Sequence, residues 1–219
     1  MRTRHLALAI SVVVGLGPGL VALAPPAVAA PATVKVIVMP VTVSGTAASG
    51  FSVKKQDPGF PVDCRYKDPS IAAVSPDIET CSPSAAYAPA CWKAAAPGKV
   101  LCMRDASSHK VFLIKREGRF ADTAIAKPRD RAPLDFVLTD GTKCQIRIGG
   151  AWGPVPHHPN LYGAYSCDRH DAAWLYAKGS HSDAHAGIDE SGASWRIRTG
   201  YKHIVWRHIA TAYFVATAP

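Results

Sequence analysis

The sequence predicts a mainly β fold: a small antiparallel sheet, or a sandwich or barrel built from hairpins, with one short helix and disulfide staples. Three observations carry that expectation. The first is the stretch FVLTDGTKCQIRIGGAW, Phe136 to Trp152, in which Asp140-Gly141 separates two runs of strand-forming residues. Asp-Gly suits a two-residue hairpin turn because both residues tolerate positive φ, which matches strand twist. On the returning half, Cys144, Ile146 and Ile148 alternate with Lys143, Gln145 and Arg147. That period of two marks one buried and one wet face. The second observation is KVLCMRDASSHKVFLIK, Lys99 to Lys115, two apolar runs joined by a polar turn at Arg104 to His109. The third is six cysteines, an even number in a chain that opens with an export signal.

That signal is the first element. Arg2 and Arg4 supply a positive start, and Leu6 to Ala24 is apolar with a Gly-Pro-Gly break. Ala27-Val28-Ala29 then offers a small-x-small cleavage pattern, so residues 1–29 are expected to leave as a signal peptide. The rival reading, an uncleaved anchor, fits the Gly and Pro break poorly. No later stretch is apolar enough to cross a membrane. Residues 30–62 carry Val34, Val36, Ile37, Val38, Val41 and Val43 around Pro40, an extended arm or a first strand. Residues 63–219 form the single disulfide-stapled domain.

Within that domain the prolines between Gln56 and Pro76 are too many for long elements, so loops pinned by Cys64 are expected there. Ser82-Pro83 is a helix start, and Pro89 ends it soon afterwards; this is the one short helix. Arg116 to Ala132 is a polar surface connection. Gly149 to Gly153 frames Trp152, whose indole is expected to fold over the sheet rather than to stack a ligand. Ala172 to Ala177 is a short strand, and Gly179 to Gly192 a polar loop. Trp195, Ile197 and Thr199 alternate with Arg196 and Arg198, a strand with its arginines in water. His203 to Thr217 is rich in β-branched and aromatic residues and reads as a strand, although Val205, Ile209 and Ala212 would also line a helix face.

Taking Arg2 and Arg4 away with the signal leaves 23 of the 25 basic residues against 16 acidic ones, a balance of +7. Such a surface favours anionic neighbours: phosphate-bearing wall polymer, lipid headgroups, or nucleic acid without sequence preference. About 190 residues remain, enough for one domain with a core.

Cys64, Cys81, Cys91, Cys102, Cys144 and Cys167 all follow the signal, and an exported chain meets an oxidising compartment. Sequence admits many pairings; proximity favours Cys64–Cys81, Cys91–Cys102 and Cys144–Cys167. No two of them have the spacing of a zinc knuckle.

Three pieces together, CSPSAAYAPACW followed by VLCMRD, then LTDGTKCQIRIGGAWG with a later YSC, then GIDESGASWRIRTG before AYF, carry a resemblance. In that order they resemble a group of small exported actinobacterial proteins with six cysteines and no assigned activity. The resemblance covers roughly Cys81 to Ala216. It implies export and one domain, and supplies no catalytic or binding residue.

The chemistry read from the residues themselves is sparse. There is no Gly-x-Ser-x-Gly elbow, no Gly-rich phosphate loop, and no cysteine left over for a nucleophile. Asp189-Glu190 reads as a solvated acidic turn rather than a glycosidase pair. No cofactor and no sequence-specific nucleic-acid contact are expected. The first functional reading is therefore a non-catalytic domain, secreted or associated with the cell wall, whose basic face contacts anionic wall polymer or lipid headgroups. The candidates for that face are Lys143, Arg147, Arg196, Arg198 and Arg207. The alternative is a metal-binding protein or metal-dependent hydrolase that uses the histidines of the second half. His157, His181, Asp183 and His185 are its candidate ligands, since imidazole suits zinc, copper and nickel. A third reading is a secreted inhibitor displaying the Gly179 to Gly192 loop on a rigid scaffold.

Overall fold

The chain is mostly β, as its hairpin patterning requires, and is described from a computed structural model. The described residues are 30–55, 61–82, 88–120, 122–128, 131–146, 154–155, 157–169, 175–177, 187–200 and 203–219. Expectations for the signal peptide, for the helix after Ser82, for Arg147, for Trp152 and for most of the 179–192 loop fall outside them. The strands are β1 (Val34–Thr42), β2 (Ser52–Lys55), β3 (Val62–Pro69), β4 (Glu79–Ser82), β5 (Ala90–Lys93), β6 (Lys99–Met103), β7 (Lys110–Glu117) and β8 (Asp135–Leu138). They continue as β9 (Lys143–Ile146), β10 (Pro154–Val155), β11 (His158–Gly163), β12 (Tyr165–Cys167), β13 (Leu175–Ala177), β14 (Ile188–Asp189), β15 (Arg196–Thr199) and β16 (Val205–Ala218). The helical content of the described residues is one 3-10 turn, Ala106–Ser108.

Two larger sheets hold the molecule. In the first, β3, β4, β5, β6 and β7 follow one another, and β7 pairs with β3 as well as β6, so the five strands close on themselves. β2 adds to the outside of this ring, parallel to β7. The ring interior is small and holds Val62, Val100 and Ile114 with Cys64, Cys81, Cys91 and Cys102. Cys64–Cys81 and Cys91–Cys102 are both disulfides, so oxidised sulfur fills much of the space that aliphatic side chains would otherwise occupy. The alternate residues Ala90, Trp92, Leu101, Met103 and Val111 point out of the ring and into the main core. β5 and β6 are therefore covered on both faces, which is why ACW and VLCM read as unbroken apolar runs.

The second sheet runs β12-β9-β8-β16-β15-β14, with β1 parallel to β16. Its inner face supplies Phe136, Leu138, Ile146, Tyr165, Ile197 and Ile209 to the same core. The segment 30–62, open between arm and strand in sequence, contributes β1 and β2, and both are paired into the sheets. β10, β11 and β13 make a third, three-stranded sheet.

The central hairpin is present with one correction at its turn. β8 and β9 pair so that Val137 faces Lys143, and Leu138 N–H donates to Thr142 O. The loop is thus Thr139-Asp140-Gly141, three residues rather than two. Gly141 takes φ 83° while Asp140 does not enter the positive region. Asp140 instead accepts the Thr142 N–H at 2.9 Å, a local bond that favours a type I turn closed by a left-handed glycine.

Each disulfide joins neighbouring strands. Cys91 opposes Cys102 and Cys144 opposes Cys167 in register, and Cys64 lies one step from the Asp63–Ser82 pair. Replacing Cys91 and Cys102 together by alanine is expected to lower the unfolding free energy by about 3 kcal/mol, the value for a loop of this length. Urea unfolding of the oxidised variant against the parent measures it. A loss below about 1 kcal/mol would mean that the ring holds without this staple.

Candidate functional site

β15 and β16 build the first arrangement of interest. Arg196 opposes His208 and Arg198 opposes Trp206 in the antiparallel pair, so all four side chains share one face. The alternate residues Ile197 and Thr199 are buried, which fixes that face outward. Trp206 is 45% exposed. The Arg196 guanidinium carbon lies 5.0 Å from its ring centroid and that of Arg198 4.9 Å, both within cation–π range. Arg196 Nε donates to Asp189 Oδ2 at 2.8 Å. Hydrogen bonds from Ser191, and then from Arg196, hold the Asp189 carboxyl down at about 2. Asp189 therefore stays ionised at every working pH and keeps Arg196 in place. Among the described residues Arg198 makes no ion pair. The Ser194 hydroxyl and His208 Nδ1 sit 2.9 Å apart and close the edge of the patch.

The other basic candidates lie elsewhere. Arg207 faces the opposite side of β16, where Nη1 contacts Asp140 Oδ2 at 2.9 Å and Nε donates to Thr199 Oγ1. Lys143 is on β9, at a cavity described below. Arg147 is outside the described residues. The structure thus brings together Arg196 and Arg198, and sets Lys143 and Arg207 apart from them. Trp206, which sequence reasoning passed over, is what unites the pair. The signal for it was the alternation V-W-R-H running into a strand, which puts Trp206 and His208 on one face.

Of the metal candidates, His157 alone is among the described residues. His157 is exposed at a turn with φ 66°, and His181, Asp183 and His185 lie outside the described residues. One group of three side chains among the described residues has metal-ligand atoms within 4.8 Å of one another: Cys64, Glu79 and Cys81. Both of its sulfurs are joined in a disulfide, and a disulfide lacks the thiolate charge that binds metal.

The second arrangement is a cavity of about 320 Å³ between the β6–β7 tip and the outer face of the second sheet. Ser166, Gln145, Asp135 and Tyr213 lie side by side across β12, β9, β8 and β16, a polar row set by register. Asp135 is 7% exposed. Its Oδ2 accepts the Ala106 N–H at 2.6 Å. Its Oδ1 is sealed from solvent with no N–H or O–H donor among the described residues. Burial pushes this carboxyl up to about 7; the Ala106 N–H opposes the shift, the Asp105 carboxyl adds to it, and Lys143 eases it. Asp105 Oδ1 accepts from the N–H and the hydroxyl of Ser107, capping the 3-10 turn. The Tyr213 phenol is raised by burial and then by the Asp135 and Asp105 charges.

No family model, no curated protein and no solved structure matches this chain. The class that the fold and the patch define is a disulfide-stapled β domain carrying an exposed arginine–tryptophan surface.

Proposed function

We propose that this protein is an exported, non-catalytic domain of the cell envelope or its surroundings, which holds an anionic wall polymer through Arg196 and Arg198. The observation that carries this reading is the placement of both guanidinium groups over the exposed Trp206 indole. Arginine binds phosphate and carboxylate through a planar fork, and a fork already stacked on an aromatic ring loses less freedom on binding. A repeating anionic polymer suits two fixed guanidinium groups on an open surface better than a small ligand, which needs an enclosed site. All six cysteines are paired, as expected of a chain that works in an oxidising compartment. No helix among the described residues is long and apolar enough to cross a membrane.

The test is co-sedimentation with isolated phosphate-bearing wall material and, as a second arm, with anionic lipid vesicles. Binding at about 50 mM salt is expected to weaken steeply as salt rises. The variant Arg196→Ala/Arg198→Ala is expected to lose about 2 kcal/mol, roughly thirtyfold, from about 1 kcal/mol per surface cation. Arg65→Ala is the control, because Arg65 lies on β3 with Asp63 and away from the patch. Vesicle binding without polymer binding would assign the surface to lipid headgroups. Salt-insensitive binding, or equal loss in the Arg65 variant, would remove the patch from the function.

A further inference from the structure

We propose that the Arg104–His109 tip of the β6–β7 hairpin is a proton-operated latch over the cavity, shut while the buried Asp135 carboxyl holds a proton and released when that proton leaves.

Three contacts fasten the tip to the second sheet. Asp135 Oδ2 takes the Ala106 N–H at 2.6 Å. Gln145 Nε2 donates to the Arg104 carbonyl. The third is the approach of two acids, Asp105 from the tip and Asp135 from β8, which line the same cavity. Asp135 Oδ1 is out of reach of water and of any N–H or O–H donor among the described residues. An ionised carboxylate left like that is costly. A proton on Asp135 removes the cost, because its carboxyl then donates to that of Asp105, as in other carboxyl pairs forced together. With both acids ionised, two like charges share one poorly solvated cavity.

The groups around Asp135 support this assignment. Asp105 comes from the tip, Lys143 from β9 and Tyr213 from β16, while Asp168 lines the cavity beyond β12. Lys143 is the one cation among these and is exposed, so it softens the repulsion between the acids without cancelling it. The Arg104 guanidinium is engaged with the Phe112 ring, 4.2 Å from its centroid. The sheet under Asp135 is anchored independently by the β8–β9 ladder and by Cys144–Cys167. The tip has no such staple, so it is the part that yields.

The measurement is the carbon-13 carboxyl titration of the full oxidised chain, with amide exchange of Ala106 corrected for its intrinsic pH dependence. Asp135 is expected to titrate close to neutrality, at about 7. Ala106 protection is expected to fall about tenfold per pH unit from about pH 4 up to that midpoint and to level off above it, the dependence of a one-proton opening. Amides of the β8–β9 ladder keep their protection over the same range. Asp135→Asn is expected to hold the tip shut at every pH, since its amide accepts from Ala106 and donates to Asp105. Three results would overturn the latch: Asp135 titrating in the ordinary carboxyl range, Ala106 protection unchanged from about pH 4 to about pH 7, or loss of protection everywhere at once. The wild-type titration decides the matter even if the variant does not fold.

Discussion

Phe136→Ala is expected to lower the unfolding free energy by about 4 kcal/mol, within the range for removing a buried aromatic ring. Phe136 is 1% exposed on β8, a strand flanked by β9 on one side and β16 on the other. Its ring lies 4.8 Å from that of Tyr165 with the planes 58° apart, a tilted aromatic pair. Tyr165 cannot shift to fill the hole, because its hydroxyl donates to the Pro133 carbonyl at 2.9 Å. Strands tied on both edges also move little, so the cavity stays open and its cost is retained. Phe136→Leu, which keeps most of the volume, is expected to cost roughly a third as much. Chemical denaturation of both variants gives the comparison. Equal losses in the two would mean that the ring does not sit in the core as described.

Stability is expected to fall as pH rises from about 4 to about 7, by at most about 4 kcal/mol from this one group. The sign follows from Asp135, whose carboxyl is raised by burial from 3.8 to about 7 in the folded chain. Below 3.8 folded and unfolded forms are both protonated and the favourable contribution is complete. Between the two values only the folded form holds the proton, so each pH unit removes stability. Above about 7 both have lost it and the change is over. Asp189, held down at about 2, acts in the opposite sense and in a separate window, losing stability only as pH falls below 3.8. The difference between wild type and Asp135→Asn isolates this group from every other residue, since the rest of the chain is the same in both. Parallel stability profiles for the two proteins between pH 4 and 8 would show that Asp135 is not the titrating group.

Local chemistry made much of this legible. The alternation of Trp195, Ile197 and Thr199 with Arg196 and Arg198 became a strand with its apolar side buried. His203 to Thr217, ambiguous between helix and strand, became the long strand β16, as its β-branched residues favour. Each disulfide joins strands that are neighbours in a sheet; in two of the three those strands are also consecutive in sequence, while β9 and β12 have β10 and β11 between them. The turn at Asp140 was misjudged by one residue, since the Asp side-chain bond to Thr142 competes with the left-handed geometry that a two-residue turn demands of both positions.

The candidate site was half visible. Arg196 and Arg198 could be placed on one face by counting in twos. Arg207 could not be placed with or against them, because its side of β16 depends on which strand pairs with which and in what register. Asp135 gave no warning either. An acid at the head of an apolar strand is ordinary in sequence, and its burial comes from a tip about thirty residues earlier folding over it.

By itself the sequence determined the two hairpins of Lys99–Lys115 and Phe136–Ile146 and the oxidised state that the cysteines require, since these follow from sterics and chemistry within a few residues. It missed β3, which forms across the proline-rich stretch expected to be loop. Tertiary structure alone decided that the first and last strands lie parallel, that β7 closes the ring against β3, and that Asp135 is buried under a hairpin tip. Those outcomes depend on which apolar face finds which cover across the whole chain, and no local preference encodes that choice.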